Sequence, residues 1–272
     1  MPPRIDTDKY RVKEGEKVSL KRWPPGDTSG FEGEEAEALE DSRSLTLRLE
    51  KLQELLYAEH KHKVLIVLQA MDTGGKDGTV KKVFEGVNPA GVRVAHFRTP
   101  TAEEADHDFL WRVHSQVPGR GEIAIFNRSH YEGVLVERVH RLVDRKTWER
   151  RYKEIEHFEH LLHDDHTVIL KFFLHIDKEE QKRRLEERLN DPSKRWKFSS
   201  LDTQERRLWA RYAEAYEDAI EATSKEHAPW YVVPANKKWF RDVLVSTIIV
   251  ETLDKLGMQY PKLTFDPKSV KI

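Results

Sequence analysis

A three-layer α/β fold, with a parallel sheet between two sets of helices, is predicted by three observations in this 272-residue sequence. The strand-like runs are largely continuous apolar stretches: 63–69 (KVLIVLQ), 92–97 (VRVAHF), 122–127 (EIAIFN), 167–174 (TVILKFFL) and 230–233 (WYVV). Strands buried on both faces read this way, and parallel sheets are where they occur. Helical stretches near 76–86, 102–116, 145–163, 178–189, 202–224 and 238–256 separate them, which is the strand–helix alternation of such a fold. A glycine-rich turn, DTGGKDGT, joins the first of these strands to the helix that follows.

Ahead of the sheet, residues 1–31 are polar, contain Pro2, Pro3, Pro24 and Pro25, and read as an extended arm packed on the domain. Leu39, Leu45, Leu47, Leu52, Leu55 and Leu56 then suit an amphipathic helix within 32–60. The expected organisation is an N-terminal extension and helix (1–60), one α/β domain (61–260) and a short tail (261–272), without internal repeats.

At 38% hydrophobic residues the chain can bury a substantial core. It has no apolar run of the ~18 residues a membrane span needs, and its N-terminus lacks an apolar signal core, so a cytoplasmic protein with no membrane partner is expected. The absence of cysteine excludes disulfides, a thiol nucleophile and a Cys-ligated metal. Net charge is only -1 although 35% of residues are charged, so any polyanion must be bound by local clusters of cations. Those clusters are Lys81 and Lys82, then Arg183, Arg184, Arg188, Lys194, Arg195 and Lys197, then Arg206 and Arg207. A solvated helix face laced with Glu accounts equally well for 179–188, but acidic partners nearly vanish in NDPSKRWKFSS.

In a parallel sheet, ligands bind beyond the carboxyl ends of the strands. Two such ends are dense in polar groups. In the first, Gly74 and Gly75 let successive amide N–H groups face one anion, the helix from Lys76 adds its positive end, and Lys76 adds a mobile charge. Asp77, Gly78 and Thr79 complete this turn. The generic phosphate-loop pattern is broken twice, by Ala70 in place of its first glycine and Asp77 in place of its Ser/Thr, so an ordinary βα turn is the plainer alternative. At the second end, in IAIFNRSHYEGVLVERVH, Asn127 closes the strand and Arg128 can bind phosphate oxygens or neutralise a transferring phosphoryl group. His130 is expected to be packed or solvent-facing. Residues 178–208, a basic helix, a Pro-containing loop and another helix, have the shape of a lid that closes over phosphates.

Taken in order, QAMDTGGKDGT, IFNRSHYEGVLVERV, RLNDPSKRWKFS and WYVVPANKKWFR resemble the family-2 polyphosphate kinases, over about residues 10–260. GGKDGT is that family's own form of the phosphate loop. The resemblance implies a P-loop kinase fold similar to thymidylate kinase, with a helical lid. It also implies Mg²⁺-dependent phosphoryl transfer, with Mn²⁺ as the alternative ion, between inorganic polyphosphate and adenine nucleotides, extending to other purine nucleotides. By the family's pattern Asp72 would help hold the metal, Lys76 would contact the transferring group, Arg128 and Arg188 would bind phosphates, and Lys194, Arg195 and Lys197 would hold the donor chain. The NRSHYE form, with Asn127, resembles the class that phosphorylates both AMP and ADP. That class usually has Asp where this chain has Gly133, which leaves Glu132 and Glu137 as further metal-ligand candidates; a need for positive φ at Gly133 is the competing reason for the glycine. Asn88, Arg93 and Phe97 are candidates for the nucleotide pocket. A homo-oligomer is expected, and no nucleic-acid partner. The competing functions are an ATP-dependent nucleotide or small-metabolite kinase of the same fold and a non-catalytic polyphosphate- or nucleic-acid-binding module.

Overall fold

The computed structural model describes residues 4–264 and 270; residues 1–3 of the arm and most of the tail beyond 264 lie outside the described residues. Its elements are β1 (Arg11–Val12), α1 (Glu35–Glu59), β2 (Lys63–Ala70), α2 (Lys76–Val83), β3 (Val92–His96), α3 (Ala102–Asp106), α4 (Trp111–His114), β4 (Ile123–Asn127), α5 (Val136–Val139), α6 (Arg145–Asp164), β5 (Thr167–His175), α7 (Lys178–Asn190), α8 (Ser200–Arg207), α9 (Trp209–Thr223), β6 (Trp230–Pro234) and α10 (Lys238–Asp254).

The six-stranded sheet runs β1-β6-β5-β2-β4-β3. Every pairing is parallel except that of β1, which joins β6 antiparallel through Arg11↔Tyr231 and Val12↔Trp230. The N-terminal arm is thus part of the sheet, where it covers the β6 edge that would otherwise present unpaired backbone groups. Its Tyr10, Val12, Leu20 and Trp23 are buried, and the Trp23 indole donates to the Lys9 carbonyl at 3.0 Å. On one face α1 lies along α10, which also meets α2; on the other, α6 and α5 pack with α9. Sandwiched between α1 and the sheet, α10 buries Val243, Leu244, Val245, Ile248 and Ile249.

Two expected helices are broken. The stretch 102–116 divides into α3 and α4, separated where His107 is extended and the Asp108 carboxylate accepts from Leu110 N at 2.9 Å. The stretch 202–224 divides at Leu208 into α8 and α9. In both places the apolar spacing continues through the break, so periodicity could not locate it.

Near the middle of apolar β5, Lys171 is fully buried. Its ammonium meets Glu159 of α6 at 2.5 Å, Tyr131 OH at 3.0 Å and the Thr223 carbonyl at 2.7 Å. Burial opposes the Glu159 charge, but Lys171 and His130 outweigh it and hold this carboxyl below the usual range. His130 is packed into the same network, 3.1 Å from Glu159.

Candidate active site

The order of the strands sets the position of the site. From β2 the chain crosses to β3 and β4 on one side and to β5 and β6 on the other, so a crevice opens beyond the carboxyl ends of β2 and β4. There lies a cleft of about 1370 Å³, walled by the glycine turn, the segment after β3, the turn after β4 and the α7–α8 region.

The glycine turn is built so that side chains could not replace it. A Cβ on Gly75, whose φ is 104°, would lie 2.3 Å from Arg241 Nη1, and one on Gly74 would meet Ala70 Cβ at 2.4 Å and the Met71 carbonyl at 2.9 Å. Ala70, at the place of the missing first glycine, is therefore part of the packing under the turn. Two arginines hold the backbone from behind: buried Arg184 donates to the Thr73 carbonyl at 2.9 Å and to Ala235 O at 2.5 Å, while Arg241, paired with Asp242 at 2.6 Å, reaches towards the Gly75 carbonyl at 3.5 Å. With these carbonyls so engaged, and the Gly74 N–H donated to the Met71 carbonyl at 2.9 Å, the amide groups from Gly75 into the first turn of α2 face an incoming anion. Thr73 is held at φ 64°, and among the described residues its buried hydroxyl has no hydrogen-bond partner, so it can donate to a phosphate oxygen.

Asp77, in place of the usual hydroxyl, has a partner: Asn127 Nδ2, at the end of β4, donates to its carboxylate at 2.5 Å. Among the described residues Lys76 Nζ has one hydrogen-bond acceptor, the Ala70 carbonyl at 3.3 Å. Burial first, then the neighbouring Arg128, push its pKa down to about 8, against the opposing pull of Asp72 and Glu132.

Arg128, at φ 63°, stands between two carboxylates, donating to Asp72 at 3.0 Å and to Glu132 at 3.1 Å. Burial alone would weaken its hold on the proton, but Glu132 and Asp72 outweigh that and raise its pKa. Gln69 fixes the far side by donating to Ser129 Oγ and Glu132 Oε1, both at 3.1 Å. Asp72, Lys76, Arg128 and Glu132 thus form one alternating charge cluster on the cleft wall. The pair Asp72 and Glu132 fits Mg²⁺, which keeps most of its waters and binds one or two carboxylates plus substrate phosphates.

Arg188, Lys194 and Lys197 line the same cleft. Arg188 lies 3.8 Å from Asp202, Lys194 bridges Glu187 at 2.8 Å and Asp191 at 3.0 Å, and Lys197 lies over the exposed Trp196 ring.

This constellation is accompanied by a match of residues 32–261 to the family model described as Polyphosphate kinase 2. The chain belongs to the polyphosphate kinase 2 family. It is 62% identical to the AMP/ADP-polyphosphate phosphotransferase of Meiothermus ruber, over 93% of this chain and 95% of that one. It is 44% identical to the ADP-polyphosphate phosphotransferase of Rhodopseudomonas palustris, over 96% and 94%. The crystal structure of polyphosphate kinase 2 from Arthrobacter aurescens superimposes with a TM-score of 0.95 at 43% identity, covering 99% of this chain and 96% of that one.

Within this member of the polyphosphate kinase 2 family, several residues singled out from the sequence lie elsewhere. Thr79 is buried and its hydroxyl donates to the Gly75 carbonyl at 3.1 Å, so it closes the first turn of α2. Lys81 and Lys82 are exposed outside the cleft lining, and Lys82 pairs with Glu85 at 2.8 Å. Arg195 turns from the cleft to donate to the Leu189 carbonyl at 2.7 Å, near the end of α7. Of the three nucleotide-pocket candidates only Phe97 lines the cleft. Asn88 caps a short turn by accepting from Ala90 N, and Arg93 is held by Gln116 at 2.8 Å and the Val117 carbonyl at 3.0 Å. Both precede or begin β3, away from its carboxyl end.

Glu137 faces the cleft, but its carboxylate is engaged by Arg151 at 2.7 Å, and among the described residues no three His, Asp or Glu side chains assemble as a metal-holding group. Gly133 is in a 3-10 turn (His130–Gly133) and its φ is not positive, which corrects the conformational explanation for this glycine. The constraint is contact: a Cβ would sit 2.9 Å from the Phe109 ring and 3.2 Å from Arg151 Nη1.

Sequence reasoning missed Arg241 and the wall formed by Phe109, Glu104 and Arg112, where Arg112 meets Glu104 at 3.1 Å and stacks on Phe97. Arg241 ends WYVVPANKKWFR, so a signal for it was present; nothing in 102–116 marks a cleft wall.

Proposed function

We propose that this protein transfers the terminal phosphoryl group of inorganic polyphosphate to AMP and ADP, forming ADP and ATP, and accepts other purine nucleotides. The observation that supports it best is the convergence, in one cleft, of a phosphate-shaped glycine turn, Lys76, Arg128 and the lid cations Arg188, Lys194 and Lys197.

A polyanionic donor and an anionic acceptor repel each other unless positive charge lies between them, so catalysis here is positioning and charge neutralisation. An ionised phosphate oxygen of the acceptor attacks the terminal phosphorus of the donor. The P–O bond to the rest of the chain breaks, and its electron pair leaves with the shortened polyphosphate. No general base is needed, because the nucleophile is already ionised. The turn amides and Lys76 bind the reacting phosphates, and Arg128 neutralises charge on the transferring group's oxygens. To do so its guanidinium must leave Asp72 and Glu132, which would then hold Mg²⁺ or Mn²⁺. The metal would supply neutralisation of the phosphate charges.

Incubation with polyphosphate, Mg²⁺ and either AMP or ADP as the sole nucleotide, with products separated by chromatography, tests the proposal. ATP should form from both. Phosphorylation of AMP only when ATP is the donor would favour an ATP-dependent kinase on this fold. Among the described residues no helix is long and apolar enough to cross a membrane; a cytoplasmic location and self-association are part of the same proposal.

A further inference from the structure

Beside the catalytic cleft lies a second, open groove of about 630 Å³. Leu142, 68% exposed, belongs to the lining of both and forms the rim between them. Arg138, Arg141, Arg145 and Arg211 line this groove, with the acids Asp144 and Glu214. Each acid already has a role: Asp144 caps α6 by accepting from Thr147 N at 2.8 Å, and Glu214 pairs with Arg138 at 3.1 Å. Arg145 pairs with Glu149 at 2.7 Å on the exposed face of α6. Arg141 and Arg211 are exposed, and among the described residues neither guanidinium has a hydrogen-bonding or ion-pairing partner. In a chain so densely paired, two unpaired arginines on one groove amount to an unneutralised positive surface.

The aromatic group in the groove narrows the ligand class. Trp148 would be a stacking platform for a base, but the Arg138 guanidinium lies 4.1 Å over its ring and is itself fixed by Asp218 at 2.7 Å and Tyr152 OH at 2.9 Å. With Arg138 held against one face of this ring, the groove offers charge in preference to base stacking. The geometry points to this groove as a distal track for the polyphosphate donor, gripping phosphates that emerge over Leu142 while the chain end reacts beside Lys76. The inference rests on the donor assigned above. It differs from the lid residues in that it acts only on donors long enough to leave the cleft.

The test is the double variant Arg141→Asn, Arg211→Glu, assayed with a long-chain polyphosphate and with tripolyphosphate. Asn is chosen at 141 because φ there is 56°, a left-handed conformation that Asn tolerates. KM for the long donor should rise roughly three- to thirtyfold, the scale expected for losing two exposed charge contacts and gaining one repulsion. KM for tripolyphosphate and kcat with both donors should stay at wild-type values, and added salt should raise the long-donor KM more in the wild type than in the variant. An unchanged long-donor KM, or an equal rise for both donors, would overturn the track. A wild type that turns over neither donor would instead overturn the donor assignment, and the track with it.

Discussion

Arg128 is the residue whose replacement should move two measurements in opposite directions. It engages both acids that would hold the metal, at 3.0 Å from Asp72 and 3.1 Å from Glu132. Coulomb's law gives about 4 kcal/mol for a pair about 4 Å apart at an effective dielectric near 20. With the arginine side chain 39% exposed, solvent reduces the useful interaction to about 1 kcal/mol per pair. Removing it in Arg128→Ala should therefore release roughly 1–2 kcal/mol of competition, and Mn²⁺ should bind the substrate-free protein about tenfold more tightly. Turnover should fall in the same variant by roughly two to four orders of magnitude, because the group that neutralises the transferring phosphoryl is gone. Titration of Mn²⁺ by calorimetry or electron paramagnetic resonance, alongside steady-state kinetics, measures both. Weaker Mn²⁺ binding would refute the idea that arginine and metal compete for these carboxylates, and near-normal turnover would reduce Arg128 to a structural ion pair.

Lys76, with its pKa pushed down to about 8, should give kcat/KM an alkaline limb: the free enzyme loses this proton as pH rises through about 8, bound phosphates favour the charged form, and kcat should decline only at higher pH. Arg in its place should shift that limb upward, and an unchanged profile would show that another group titrates. The same shift has a stability consequence: charged Lys76 costs the folded state stability below about pH 8, a cost relieved as pH climbs towards the unfolded value of 10.5. Among the lid cations, Lys194→Ala and Lys197→Ala should each raise the KM for polyphosphate more than Arg195→Ala, whose guanidinium is bound to a helix carbonyl; equal effects would contradict the orientations seen here. Gly133→Ala should lower the melting temperature through contact with Phe109, an overpacking cost of about 1–3 kcal/mol, and Gly133→Asp should leave the Mg²⁺ midpoint unchanged, since its carboxylate would meet Arg151. A lowered Mg²⁺ midpoint in Gly133→Asp would restore position 133 to the metal site. Glu159→Ala should destabilise by about 3–5 kcal/mol by leaving Lys171 buried without its counter-charge, read as a shifted denaturant midpoint.

The sequence by itself determined the five parallel strands, the phosphate-loop reading and the family, but not β1, the antiparallel edge strand that the arm supplies. These depend on local signals: unbroken apolar runs such as Val64–Leu68, a glycine pair between strand and helix, and short ordered motifs. The placement of Lys76 and Arg128 in one cleft followed from the rule that strand ends carry ligands, without any contact being known.

What tertiary structure decided were directions and partners, which depend on residues far apart in the chain. Lys81 and Lys82 form a cationic cluster available to a polyanion by sequence, but a helix turns its side chains about 100° per residue, and both face solvent. Arg184 and Arg195 belong to one basic run, yet one clamps the loop's backbone and the other, beyond the end of α7, caps the Leu189 carbonyl of that helix. Asn88 and Arg93 lay near the right strand but at its wrong end. The question raised by Asp77 in place of a hydroxyl was answered by Asn127, 50 residues away. That raised by Gly133 was answered by the ring of Phe109 and the guanidinium of Arg151, and not by backbone conformation. A sequence states which groups are available; close approach between distant segments selects what each of them touches.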